Sequence, residues 1–177
     1  MTTLNIEDVK NKIRAIPNFP KEGIIFRDIT TGLKDAQTLQ MMIDYMSAQF
    51  KNEQIDYIVG AESRGFIFGT AMAYKMNCGF IPVRKPNKLP AATVSEAYEL
   101  EYGTDTIEIH SDAIEPGARV LFVDDLLATG GTARAACNLI RKVGGVLVGA
   151  AFLIELVELD GREKLKDCGK VISMLQY

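Results

Sequence analysis

Apolar positions early in the chain recur at helical spacing, whereas later ones gather into short unbroken runs. Ile6, Val9, Ile13 and Ile16 fall on one face, which predicts an opening helix stopped by Pro17. The next segment, NFPKEGIIFRDIT, carries two prolines, a glycine and a short apolar run. It reads as an irregular loop containing a short strand. Leu39, Ile43, Met46 and Phe50 mark the inward face of a second helix, from Ala36 to Phe50. From there strands and helices alternate. IDYIVGA, GFIPVRK, RVLFVDD, VLVGAAFLIEL and VISMLQY read as apolar strands. SRGFIFGTAMAYKM and TARAACNLIRKVG read as helices, the first rich enough in small residues to lie close against a sheet. Residues Pro86 to Tyr98 are polar, contain proline and show no pattern. ELEYGTDTIEIH alternates about a Tyr-Gly turn, as a hairpin does.

Continuous apolar strands separated by helices imply an α/β fold, with a mostly parallel central sheet flanked by helices on both faces. Ligands on such sheets bind beyond the carboxyl ends of the strands. Three chemically distinctive segments fall there: Ala61–Gly65, Arg84–Lys85 and Asp124–Thr132. The length of 177 residues suits one domain with a sizeable core. The net charge of -3 provides no global positive field, so neither nucleic acid nor a membrane is expected as a partner. A bound anion must therefore be held locally. The N-terminus lacks the pattern of a secretion signal, and no apolar run is long enough to cross a bilayer. Cys78, Cys137 and Cys168 are far apart and lack metal-ligand spacing, so they read as free thiols. Such thiols suit a reducing compartment, and a cytoplasmic protein is expected. His110, the one histidine, lies in an alternating segment and is assigned no catalysis.

The stretch VLFVDDLLATGGTA carries the chemistry. Val120–Val123 read as a buried strand, with Asp124 and Asp125 at its end. Adjacent carboxylates repel each other and lose solvation when buried. Sugar hydroxyls or a nearby cation would make them tolerable there. Ala128, Thr129, Gly130, Gly131 and Thr132 then lead into a helix. Paired glycines let several N–H groups point into one concavity, and the helix start adds free N–H groups and a positive dipole end. The combination describes a cup for a phosphate beside acceptors for a ribose diol. A plain strand–turn–helix with a threonine cap is the bland alternative. The paired acids ahead of Thr-Gly-Gly-Thr argue against it. No Gly-Lys-Ser/Thr follows, so this is not a Walker loop, and it is not a G-x-G-x-x-G fingerprint.

Val120–Ala133 resembles the phosphoribosyl diphosphate signature of the type I phosphoribosyltransferases. FPKEGIIFRDIT, AESRGFIFG, RKPNKLP, LEYG, VDDLLATGGTA and GREKL, in this order along nearly the whole chain, resemble the adenine-specific branch of that family. The resemblance implies the type I phosphoribosyltransferase fold, with a small N-terminal hood (residues 1–33), an α/β core (34–177) and a flexible catalytic loop (86–102). It implies a pentosyl transfer used in purine salvage, from phosphoribosyl diphosphate to N9 of adenine, giving AMP and diphosphate. It also implies Mg2+, held mainly by substrate and water with no direct protein ligand, and a homodimer. A transferase for another purine or pyrimidine base is one alternative. A non-catalytic regulator that senses phosphoribosyl diphosphate is another.

By the same resemblance, the 5'-phosphate falls to Ala128–Thr132, and Asp124 and Asp125 face the ribose, where they can also stabilise its developing positive charge. Ala61, Glu62, Ser63 and Arg64 form the diphosphate loop, with a strained or cis Glu62–Ser63 peptide. Arg84, Lys85 and Lys88 add positive charge toward the diphosphate; taken singly, each would be an ordinary surface cation. Glu101 is assigned to proton transfer at the purine, and Tyr102 to the end of the lid, which would keep water from the ribosyl cation. Ile25, Phe26 and Arg27 are assigned to adenine, the phenyl ring as a stacking face and the backbone as a reader of the base edge. Leu156 is assigned to the other face of the base. Glu62 stands where some members have aspartate, which keeps the charge.

Overall fold

A computed structural model of the chain describes residues 5–99 and 103–177. Its first helix begins where Asn5 can cap it. The Asn5 side chain accepts from the Asp8 N–H at 3.0 Å, and the Asp8 carboxylate accepts from the Asn5 N–H at 2.9 Å. This helix, α1, spans Ile6–Lys12 and ends as Ile13 turns extended. Ile16 is not on it, contrary to the periodicity. It lies in strand β1 (Arg14–Pro17), opposite Phe26 of the antiparallel strand β2 (Ile25–Asp28). Thr31 enforces the earlier exit: its hydroxyl donates to the Lys12 carbonyl at 2.6 Å and accepts from the Arg14 N–H at 3.3 Å. That contact joins residues too far apart for a helical period to register. A single turn, α2 (Thr30–Leu33), leads to α3 (Ala36–Ala48), where the Asp35 carboxylate accepts from the Thr38 N–H at 2.9 Å. Ile43, Met46 and Phe50 are buried as expected, although Phe50 lies just past the helix. Met42 is fully buried, whereas Leu39 is half-buried.

The chain divides into two compact units, Met1–Tyr45 and Met46–Tyr177, so the boundary falls inside α3. In the second unit the strand–helix alternation appears as read. The elements are β3 (Tyr57–Ala61), α4 (Arg64–Met76), β4 (Gly79–Val83), β5 (Thr93–Glu99), β6 (Thr104–His110), β7 (Arg119–Leu127), α5 (Gly131–Lys142), β8 (Val146–Glu155) and β9 (Lys170–Gln176). Five strands form one parallel sheet in the order β4-β3-β7-β8-β9. Val59, Ala61, Val120 and Phe122 pack in a core with Ala136, Leu139 and Ile140 of α5. The alternate residues Ile58, Leu121 and Val123 are equally buried, on the opposite face of the pleat. There α4 lies so close that a Cβ on Gly69 would stand 2.7 Å from the Phe80 ring and 3.6 Å from Ile58. Both faces of the sheet are thus covered, which is why its strands are apolar without alternation.

Two segments depart from the sequence reading. Residues 93–98, unpatterned in the sequence, join Glu99 of the predicted hairpin in β5, which pairs antiparallel with β6 from Thr93↔His110 to Glu99↔Thr104. Its inward positions are Val94, Glu96 and Tyr98. Glu96 breaks the apolar alternation because its carboxylate bonds across to α5, accepting from Asn138 Nδ2 at 2.7 Å and pairing with Lys142. Strand β7 also runs further than expected, through Asp124 and Asp125 to Leu127. Its pairing with β8 continues to Leu127↔Glu155, so the two acids sit within the sheet and not after it. Among the described residues no helix is long and apolar enough to cross a membrane.

Candidate active site

A cavity of about 240 Å³ opens at the carboxyl ends of β3, β4 and β7. It is lined by Ala61–Arg64, Lys85, Tyr98, Ile107 and the whole run Asp124–Ala133. The three segments picked out at strand ends therefore converge on one space.

The run after β7 brings an uncapped helix start to the cavity. Gly130 is the N-cap of α5, at φ 77°, and no side chain caps the helix. The first N–H groups of α5 are left for whatever enters the cavity. The loop is held from behind by Gly161, the first residue of a 3-10 turn (Gly161–Leu165). A Cβ on Gly161 would stand 2.0 Å from the Ala128 carbonyl oxygen, and one on Gly130 would stand 2.4 Å from the Gly161 carbonyl oxygen. Backbone rests on backbone, which only glycine permits at both places. The same turn carries Arg162, which ion-pairs with the buried Glu155 at the end of β8 and donates to the Val171 carbonyl at 2.8 Å.

Asp125 is 5% exposed, and Arg64 Nε lies 3.0 Å from its Oδ2. Asp124 is half-buried at the cavity wall, where its Oδ1 accepts from the Asp125 N–H at 2.9 Å. Burial pushes both carboxyls above the usual carboxylate range. The charge on Asp125 raises Asp124 further, whereas Arg64 draws Asp125 back down, so Asp124 is the more readily protonated of the two.

The other wall is an ionic lattice. The Glu62–Ser63 peptide is cis, as the resemblance implied. Glu62 accepts from Arg84 Nε and Nη2, each at 3.1 Å, and from the Lys85 N–H at 3.0 Å. These bonds, led by the Arg84 side chain, hold its carboxyl below its ordinary value. Arg84 Nη1 donates to the Lys88 carbonyl at 3.1 Å. Arg84 is thus turned toward Glu62, and Arg84 and the exposed Lys88 do not line the cavity. Lys85 does. Its ammonium pairs with Asp105 and lies 3.2 Å from the Tyr98 hydroxyl. Burial works against the Lys85 charge, but Asp105 and Tyr98 more than offset it and raise the group overall.

The remaining assignments lie elsewhere. Ile25, Phe26 and Arg27 form β2 in the first unit. There Ile25 is 51% exposed, and the Phe26 ring meets Phe19 edge to face at 5.3 Å. Leu156 follows β8 in the second unit and does not line the cavity. Glu101 and Tyr102 lie outside the described residues. Sequence reasoning missed Tyr98, Ile107 and Gly161. The first two reach the cavity only through hairpin pairing, and Gly161 only through its contact with a loop more than thirty positions earlier.

Comparison with known proteins places this geometry among relatives. A family model described as the phosphoribosyl transferase domain matches residues 31–175. An adenine phosphoribosyltransferase of Acidobacterium capsulatum is 54% identical over 175 residues, covering 99% of this chain and 96% of the relative. The crystal structure of adenine phosphoribosyltransferase from Thermoanaerobacter pseudethanolicus superposes with a TM-score of 0.95 at 49% identity, covering 98% of this chain and 100% of that one. The Saccharomyces cerevisiae enzyme, crystallised with D-2,5-dideoxy-2,5-imino-altritol 1,6-bisphosphate and adenine, superposes at 0.90 and 41% identity, covering 96% and 98%.

Proposed function

The chain belongs to the phosphoribosyltransferase family, in its adenine-specific branch, and from that premise we propose how its residues divide the work. The reaction moves 5-phosphoribose from 5-phospho-α-D-ribose 1-diphosphate to N9 of adenine and releases AMP and diphosphate. The observation that carries the residue assignment is the convergence of Ala61–Arg64, Lys85 and Asp124–Ala133 on one cavity.

In this reading the 5'-phosphate sits in the Ala128–Thr132 cup, against the uncapped start of α5. Asp124 and Asp125 face the ribose hydroxyls. As the bond to the diphosphate lengthens, positive charge grows on the sugar, and a nearby carboxylate stabilises it. The Ala61–Arg64 loop and Lys85 meet the diphosphate directly, while Arg84 and Lys88 add charge from behind the wall. Ile25, Phe26 and Arg27 take adenine, supported by the exposed apolar side chain of Ile25 on β2, and Leu156 closes the other face of the base. Glu101 accepts the N9 proton, and Tyr102 closes the lid over residues 86–102. Residues 1–33 are proposed as the hood and 34–177 as the core.

The donor set suits Mg2+ carried by the substrate. The cavity offers the adjacent carboxylates of Asp124 and Asp125. Asp124 and Asp125 would help hold an ion that, as Mg2+ commonly does, leaned mainly on substrate oxygens and water. Bound Mg2+ supplies charge neutralisation for the departing diphosphate. We also propose a homodimer, supported by α4, where Ile67 and Tyr74 share one face and are 42% and 91% exposed. A cytoplasmic setting is supported by three free cysteines.

The test is product formation from phosphoribosyl diphosphate with a panel of adenine, hypoxanthine, xanthine and orotate, with and without Mg2+. Adenine should be converted, and chelation should stop turnover. Conversion of hypoxanthine with adenine left untouched would overturn the base assignment.

A further inference from the structure

Lys85 is held at both ends. Its backbone N–H donates to Glu62 at 3.0 Å, which ties the start of the side chain to the Ala61–Arg64 loop. Its ammonium is gripped by the hairpin. Tyr98 and Asp105 are direct cross-strand partners in β5 and β6, so their side chains share a face. Both reach the same nitrogen, Asp105 by an ion pair and Tyr98 through its hydroxyl at 3.2 Å. The Tyr98 hydroxyl also lies 3.2 Å from Asp105 Oδ2. The Asp105 carboxylate is itself fixed, because its Oδ1 accepts from the Thr106 N–H at 2.8 Å. Lys85 and Tyr98 line the cavity; Asp105 does not.

A lysine ammonium has three donors on a flexible stem. Here one is committed to Asp105 and one to Tyr98, which leaves a single N–H for an acceptor in the cavity. Because Asp105 stands behind the ammonium, it orders the cation without meeting a bound anion itself. We propose that Asp105 is a positioning residue for the transfer reaction, holding Lys85 at the cavity wall so that it meets the diphosphate in one orientation. This rests on the reading of Lys85 as a diphosphate contact, and the experiment separates the two.

The reverse reaction, from AMP and diphosphate, reports on each partner separately. Lys85→Ala, Asp105→Ala and the double variant are assayed for the KM of diphosphate and of AMP. Each single change should raise the diphosphate KM by about tenfold while the AMP KM stays within about twofold, and the double variant should match Lys85→Ala alone. Multiplying effects in the double variant, or an unchanged diphosphate KM in Asp105→Ala beside a raised one in Lys85→Ala, would refute the positioning role. An unchanged diphosphate KM in Lys85→Ala would remove the Lys85 reading and the proposal with it. Asp105→Asn keeps the size and the acceptor for Thr106 while losing the charge. It should raise the diphosphate KM less than alanine does, and it keeps the test open if Asp105→Ala does not fold.

Discussion

Asp124 and Asp125 oppose each other electrostatically, and their cost falls unevenly. Arg64 compensates Asp125, while Asp124 faces the cavity beside a second carboxylate. Replacing Asp124 by asparagine removes the conflict without a change of size. Asp124→Asn should stabilise the free protein at neutral pH by on the order of 1 kcal/mol. For a chain of this size that is a rise of about 2–4 °C in Tm, seen by calorimetry. The same variant should lose turnover if, as proposed, the carboxylate faces the ribose. Asp125→Asn differs, because it removes the charge that pairs with Arg64; it should cut turnover with no gain in Tm. A Tm gain in both variants would mean that Arg64 does not compensate Asp125. Glu101 is approached through kinetics: Glu101→Gln should reduce turnover and leave the affinity for phosphoribosyl diphosphate nearly intact, and an unchanged rate would exclude it from proton transfer.

The loop between β7 and α5 illustrates how one element depends on another far away in sequence. Its Thr-Gly-Gly-Thr character was legible, because paired glycines and a helix start are local signals. Its support was not, since Gly161 reads as an ordinary turn glycine until the fold sets it against Ala128. Gly161→Ala should therefore displace the cup, because a Cβ 2.0 Å from a backbone oxygen is relieved only by moving backbone. Displacement of about 1 Å can cost on the order of 100-fold in kcat/KM. We expect a loss of that order for phosphoribosyl diphosphate, together with weaker AMP binding by calorimetry. Native AMP affinity in this variant would show that the loop keeps its shape without Gly161. Strand β5 carries the same lesson. Its polar inward residue, Glu96, hides the alternation because its partners, Asn138 and Lys142, come from α5.

The acid response of the whole molecule combines two opposing sets of groups. Asp28 is held down to about 2, first by the Thr30 hydroxyl and then by Arg14. Glu155 is lowered by Arg162, Glu62 by Arg84, and Asp105 by Lys85. A carboxyl lowered in the folded state contributes stability above its unfolded pKa and loses it as pH falls toward the folded one. Asp124 and Asp125 are raised, so their contribution has the opposite sign: it is present at low pH and lost as pH rises through their folded pKa values. Stability should therefore climb as pH is lowered through the raised pKa values of Asp124 and Asp125, then fall between about 4 and 2 as Asp28 and the other lowered carboxyls are protonated. Denaturation midpoints across that range test this. Asp124→Asn should flatten the first limb and spare the second; an unaltered first limb would assign it to other groups.

The parallel α/β architecture followed from the sequence by itself, and so did the strand–glycine–helix run that lines the cavity. Both are written in neighbouring residues: apolar runs of strand length, a small-residue helix and glycines at a helix start, although β7 carries the two acids inside the sheet and not beyond it. The helical periodicity continues through Ile16 although the helix does not, because periodicity cannot sense the Thr31 contact that ends it. What only the tertiary structure decided is who faces whom. The pairing of Arg64 with Asp125, of Arg84 with Glu62, and of Lys85 with Asp105 and Tyr98 depends on sheet order and hairpin register. A charged side chain in a sequence carries no mark of its partner. Its partner is set by which strands lie side by side, and that is a property of the folded sheet.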